Sequence, residues 1–131
     1  MTIVVGYVPT PEGEAALTAA IAEARLREQP LHLVNSSRGD ALADPRFASD
    51  DALATVRTRL AEAGVVFEIA QEVRGHEAAE EVVEAAARVQ ASLIVIGMRR
   101  RSPTGKLLTG SQAQRILLDA PCPVLAVKAT Y

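Results

Sequence analysis

The stretch from Gly97 to Ser111 has the residue types and spacing best suited to chemistry. Gly97 closes the apolar run 93–96, and Gly110-Ser111 follows at the predicted start of a helix. Four cations lie between these two points: Arg99, Arg100, Arg101 and Lys106. Because a helix start presents unpaired N–H groups and the positive end of the helix dipole, this stretch predicts an anion site. Phosphate is the anion that fits such a site.

Other interpretations of these residues stay open. Ser111 and Gln114 also form a capping box, which needs no ligand. The three arginines either clamp phosphate through paired N–H donors or form a solvated basic loop. His32 and His76 have no metal-ligand spacing to a Cys or carboxylate, and the sequence shows no Ser-His-Asp arrangement. We therefore predict binding rather than catalysis.

Length and charge limit the class of protein. With 131 residues and 13.9 kDa, the chain predicts one domain over residues 1–131. Its net charge of −2 argues against a nucleic-acid partner or a membrane surface, and no long apolar run marks a membrane span. The single cysteine, Cys122, rules out an internal disulfide, so we expect a cytoplasmic protein and a buried structural thiol.

The elements that must position these residues alternate in type. Ile3–Val8 is continuously apolar and predicts a parallel strand, and Thr10 with Pro11 predicts the start of a helix that runs to about Gln29. Leu31–Val34 predicts the second strand. Residues 35–49 show no periodicity and predict an irregular connection.

The second half continues the alternation. A helix with Leu53, Val56 and Leu60 on one face ends at Gly64, and the half-polar run 65–73 predicts an edge strand. The remaining predicted elements are a helix from Gly75-His76, a strand over 93–96, a helix from Ser111 to about Leu118 and a strand over 124–127. This order predicts an α/β fold, a single doubly wound open sheet of five parallel strands with helices on both faces.

The motif carried by Gly97, Gly110 and Ser111, together with the closing "APCPVLAVK", resembles the universal stress protein family over nearly the whole chain. The resemblance implies strand order 3-2-1-4-5 and a nucleotide site at the carboxyl ends of strands one and four. In nucleotide-binding members the motif reads G-x2-G-x9-G-[S/T]. Arg100 stands at its second glycine here, and Val8 stands where an aspartate usually contacts the ribose.

The resemblance therefore implies an adenine-nucleotide-binding protein, with ATP or AMP as the ligand, that acts in stress response or signalling. We expect the adenine near Tyr7, Val8, Val34 and Asn35. We expect the phosphates against Gly97, Arg99, Arg100, Gly110, Ser111 and Gln112.

Two alternatives accompany this hypothesis. A nucleotide-free dimeric scaffold of the same fold would have lost its site at Val8 and Arg100. A slow ATPase would need a general base and a metal-binding acid, which Val8 does not supply. We also predict a homodimer through strand 124–127, because this apolar strand lies at the sheet edge in the family order and carries no proline or inward charge. The sequence does not name a protein partner.

Overall fold

In the computed structural model, which describes residues 1–37, 48–73, 77–98 and 111–129, strands and helices alternate along the chain. The strands are β1 (Thr2–Gly6), β2 (Leu31–Ser37), β3 (Phe67–Val73), β4 (Ala91–Met98) and β5 (Val124–Lys128). The helices are α1 (Pro11–Arg27), α2 (Asp50–Glu62), α3 (Ala78–Arg88) and α4 (Ser111–Asp119).

The strands form one sheet in the order β3-β2-β1-β4-β5, and the described strand pairs are parallel. The predicted fold class and strand order are confirmed, including the edge position of β3. Because the order reverses between β1 and β4, a crevice forms beyond their carboxyl ends, which is where doubly wound sheets bind ligands.

Two apolar cores cover the two faces of the sheet. Leu17 of α1 and Leu60 of α2 pack against the face that carries Ile3, Leu33 and Val95. The helices α3 and α4 cover the opposite face, where Val82 of α3 and Ile116 of α4 pack in a second cluster with the strand residues Val4, Val34 and Ile94. Successive strand residues point to opposite faces, so neighbours in sequence serve different cores.

Several strand ends differ from the sequence prediction. β1 ends at Gly6 rather than Val8, since the Thr10 N–H donates to the Val8 carbonyl and turns the chain into α1. β2 does not stop at Val34 but continues through Asn35 to Ser37, paired with β3, although the sequence there is polar. Apolar runs mark the buried middle of a strand, whereas backbone pairing sets its end.

Other ends shift by a few residues. β3 begins at Phe67 instead of Val65, β4 is longer than the run 93–96, and α4 and β5 each extend one residue further than predicted. α3 begins at Ala78, while its predicted start at Gly75-His76 lies outside the described residues, as do 38–47 of the predicted connection.

Candidate functional site

A cavity of about 130 Å³ lies beyond the carboxyl ends of β1, β2 and β4, beside the first turns of α1, α3 and α4. Most of its lining residues are apolar or glycine. They are Gly6, Tyr7, Val8, Glu12, Gly13, Val34, Ala78, Val82, Ile96, Gly97, Gln112, Ala113 and Ile116. Such a lining suits a flat or apolar group that is held by few polar contacts.

Two glycines let α1 approach the strand ends at this cavity. A Cβ atom on Gly97 would collide with the backbone oxygen of Glu12, and one on Gly13 would collide with that of Val8. Thr10 caps the helix, because its Oγ1 accepts a 3.2 Å hydrogen bond from the Gly13 N–H. The first turn of α1 is therefore fixed against the ends of both β1 and β4.

The four residues predicted near adenine fall on two faces of the sheet. Val8 and Val34 line the cavity, and the Tyr7 N–H donates to the Val34 carbonyl at 2.9 Å. The Tyr7 side chain belongs to the core beneath α1 and α2, where its hydroxyl donates to Glu14 Oε1 at 2.7 Å. Tyr7 therefore lines the cavity with its backbone atoms and not with its ring.

Asn35 is fully buried and joins three segments of the chain. Its Nδ2 donates to the Tyr7 carbonyl at 2.9 Å, and its Oδ1 accepts from the Ala48 N–H at 2.9 Å and from Gln71 Nε2 at 3.0 Å. Asn35 does not line the cavity, although it was predicted to lie near the base. It fixes the carboxyl ends of β1 and β2, which carry Tyr7 and Val34.

Gln112, predicted at the phosphates, lines the cavity and caps the neighbouring helix. Its Oε1 accepts from the Ala79 N–H of α3 at 2.9 Å, and its Nε2 donates to Glu77 Oε2 at 3.0 Å. Arg115 donates to the same Glu77 oxygen at 2.6 Å, and this contact is the main cause that raises the pKa of Arg115. α4 thereby holds the first turn of α3 beside the cavity.

Of the other residues predicted to bind phosphate, only Gly97 and Ser111 are among the described residues. Gly97 lies at the cavity, and α4 begins at Ser111, so the predicted helix start is in place beside it. Arg99, Arg100 and Gly110 lie outside the described residues.

Sequence reasoning missed the position of Glu12 and Gly13 in the cavity wall. The pair Thr10 and Pro11 predicts a helix start and does not by itself indicate a cavity wall. Gly13 is the residue that marks this turn in the sequence. A glycine within a helix lowers the stability of that helix, so its presence in the first turn of α1 indicates that another part of the backbone approaches closely there.

Residues 1–37, 48–73, 77–98 and 111–129 contain no group of three His, Cys, Asp or Glu side chains that could hold a metal ion. None of the helices within those ranges is long and apolar enough to span a membrane.

Comparison with known proteins identifies the family. The model of the universal stress protein family matches residues 1–128. The chain belongs to this family. A universal stress protein of Mycolicibacterium smegmatis is 49% identical over 126 residues, which is 96% of each chain.

Two solved universal stress proteins share the fold over almost their whole length. A universal stress protein from Archaeoglobus fulgidus is 36% identical, with a TM-score of 0.83 and 98% of each chain covered. The structure of the universal stress protein from Archaeoglobus fulgidus in complex with dAMP is 30% identical, with a TM-score of 0.76 and again 98% of each chain covered.

Proposed function

We propose that this universal stress protein is a cytoplasmic binding protein for an adenine nucleotide, ATP or AMP, and that nucleotide occupancy rather than turnover carries its role in stress response. The observation that carries the proposal is the apolar cavity where the ends of β1 and β4 diverge, with Gly97 and the start of α4 at its rim. Doubly wound sheets bind ligands at this point.

The size of the cavity supports a division of the nucleotide between the cavity and its rim. Pockets that enclose a whole drug-sized ligand measure roughly 300–1,000 Å³, whereas this cavity measures about 130 Å³. We therefore assign the base to the apolar cavity between Val34 and Val82 and the phosphates to the space outside it. At the start of α4 they meet helix N–H groups and, by the sequence motif, Arg99, Arg100 and Gly110.

A related protein supports the class of ligand. The Archaeoglobus fulgidus protein solved with dAMP has the same fold and nearly the same length as this chain. Its ligand combines adenine with a single phosphate, the two groups that we assign to the cavity and to the start of α4.

Arg100 provides the decisive experiment, because it replaces a motif glycine. If its guanidinium binds phosphate, Arg100→Ala weakens ATP binding by about 1.5–3 kcal/mol, the value of a hydrogen bond to a charged group, and leaves adenosine binding unchanged. Calorimetric titration of wild type and variant with ATP, AMP and adenosine at low and high salt measures both effects, since an ionic contact weakens with salt.

Arg100→Gly is the matched variant, since it restores the family motif. Tighter ATP binding by Arg100→Gly than by wild type would show that the arginine obstructs the phosphates instead of binding them. If none of the three proteins binds ATP, AMP or adenosine, the nucleotide proposal is wrong and the nucleotide-free scaffold remains.

We further propose that the protein is a homodimer through strand 124–127. Among the described strands, β5 pairs with β4 alone and lies at the edge of the sheet. Its side chains Val124 to Val127 are half-buried, so the edge is apolar and accessible.

A further inference from the structure

Two helices share the wall of the cavity. Ala78 and Val82 line it from α3, and Gln112 and Ile116 line it from α4. In the proposed function the base lies against Val82, while the phosphates lie at the start of α4. The placement of α3 relative to α4 therefore decides whether one ligand can contact both helices at once.

The first turn of α3 receives a cap from α4. Glu77, the residue that precedes α3, makes no capping hydrogen bond with its side chain. Gln112 supplies one, because its Oε1 accepts from the Ala79 N–H at 2.9 Å. The first N–H groups of a helix have no partner within that helix, so this contact fixes the start of α3 to the start of α4.

Arg115 holds this cap from outside the cavity. Its Nη1 donates to Glu77 Oε2 at 2.6 Å, and Gln112 Nε2 donates to the same oxygen at 3.0 Å. Arg115 Nη1 also lies 3.4 Å from Glu80 Oε1 of α3, and Arg115 is not among the described residues that line the cavity. Because Arg115 lies three residues after Gln112, the two side chains share a face of α4 and one carboxylate can receive both.

We propose that Arg115 is a positioning residue of the nucleotide site, which acts through Glu77 and Gln112 to hold the wall formed by α3 against the start of α4. We call these three side chains the α3–α4 bridge. The inference rests on the proposed function and assigns a means of regulating the same site. Coupling between two equilibria is reciprocal, so a nucleotide that favours the closed bridge binds more tightly when the bridge is closed. Because the Arg115 side chain is 41% exposed, a contact made at the outer surface can reach the site through the bridge.

Calorimetric titration with AMP and ATP tests the assignment, in about 0.15 M salt, where distant charges are screened. Arg115→Met removes the guanidinium and keeps an unbranched side chain. It is expected to weaken both nucleotides by the same factor, about two- to fivefold, which is the range that partly exposed ion pairs contribute. Equal factors are expected because loss of the bridge frees the wall and leaves the phosphate contacts in place. Arg115→Lys retains a cation that can reach Glu77 and is expected to recover most of the affinity.

Arg88→Met is the matched control for charge. Arg88 is exposed in the last turn of α3, at the opposite end from the bridge. Its removal changes the net charge by the same amount and is expected to leave the affinities for AMP and ATP unchanged. Thermal unfolding checks that each variant is folded.

Amide hydrogen exchange measured by NMR reports on the bridge itself. In wild type, AMP is expected to slow exchange of the Ala79 N–H more than exchange of the Ala52 N–H, which Ser49 caps at the start of α2 on the other side of the sheet. Without AMP, Arg115→Met is expected to speed exchange at Ala79 and to leave Ala52 unchanged. A role in global stability alone would change exchange at both amides alike.

The outcomes distinguish the two proposals. If wild type binds neither AMP nor ATP, the proposed function is wrong and the role of Arg115 falls with it. If wild type binds nucleotide but Arg115→Met keeps wild-type affinity, or loses more affinity for ATP than for AMP, only the role of Arg115 is wrong. The larger loss for ATP would identify Arg115 as a charge that acts on the phosphates. Exchange at Ala79 that does not respond to AMP would likewise contradict the bridge.

Discussion

Tyr7 is buried in the core beneath α1 and α2, and its hydroxyl joins a polar network at the exposed edge of that core. The Tyr7 hydroxyl donates a hydrogen bond to Glu14 Oε1. The other carboxylate oxygen of Glu14 forms an ion pair with Arg59 Nη1 at 2.6 Å, and Arg59 Nη2 donates to the Thr18 hydroxyl at 3.1 Å. Burial of the ring, followed by the hydrogen bond to Glu14, raises the pKa of Tyr7. The network ties the end of β1 to both helices.

This shift predicts a loss of stability at alkaline pH. The pKa of a tyrosine in an unfolded chain is about 10, whereas the pKa of folded Tyr7 is higher, so the folded protein keeps this proton to higher pH. The contribution of Tyr7 is therefore complete below about pH 10 and is lost as the pH rises through the folded pKa. Urea unfolding from neutral to alkaline pH is expected to show a shallower decline for Tyr7→Phe than for wild type.

An identical pH dependence for Tyr7→Phe and wild type would contradict the role given to the Tyr7 hydroxyl.

Asn35 and Gln112 show why single residues of the site are hard to assign from sequence. Asn35 follows Val34, and the alternation of a strand turns their side chains to opposite faces, so only one of the two can line the cavity. Gln112 caps α3 from another helix. Caps and contacts between distant segments leave no local pattern, whereas the glycines and cations of a phosphate motif do.

At the scale of elements, a single residue, Gly64, determines where α2 ends. Gly64 has φ +74°, its N–H donates to the Ala61 carbonyl, and the Val65 N–H donates to the Leu60 carbonyl. These two hydrogen bonds form a Schellman motif, with Val65 and Leu60 in the same apolar core. The predicted helix stop at Gly64 is confirmed.

Gly64→Ala is expected to lower the free energy of unfolding by about 1–2 kcal/mol, the cost of a left-handed conformation for a residue with a Cβ atom. Among the described residues, apart from the two chain neighbours of Gly64, no heavy atom lies within 4 Å of the added Cβ, so the cost is conformational and not steric. Urea denaturation measures it.

At the end of α1 the opposite substitution can be made, because a residue other than glycine has the left-handed conformation there. Glu28 has φ +54° and its neighbour Gln29 donates to the Ala24 carbonyl, so Glu28→Gly is expected to raise stability where Gly64→Ala lowers it. Equal effects of the two substitutions would show that left-handed strain does not control these helix ends.

At the scale of the whole molecule, alternation of elements and the positions of Thr10, Gly64 and Ser111 were enough to predict the fold class. The strand order came from resemblance, because periodicity does not reveal which strands are neighbours. Strand ends were predicted less well: Asn35 to Ser37 are polar, yet they extend β2 because β3 offers backbone partners. Pairing between distant segments is not visible in either segment alone.

The direction of the backbone groups of β5 makes the proposed dimer testable. The Pro123 carbonyl accepts from Ile94, and the Ala129 N–H donates to Met98, so odd-numbered residues of this strand face β4. Even-numbered residues such as Ala126 therefore direct their N–H groups away from β4, toward a second copy.

Ala126→Pro is expected to convert a dimer into a monomer that keeps the fold. Proline removes an outward N–H in the middle of β5 and places its ring against the partner strand, while the bonds to β4 stay intact. Light scattering should fall from twice the chain mass of 13.9 kDa to that mass, with little change in thermal unfolding.

Leu125→Pro is the matched control, because it removes an N–H that faces β4 and is expected to destabilise the fold itself. A wild-type monomer at micromolar concentration, or a dimer that survives Ala126→Pro, would contradict assembly through this edge. In a twofold-symmetric dimer the same proline enters the interface twice, so one substitution acts on both sides of the pairing.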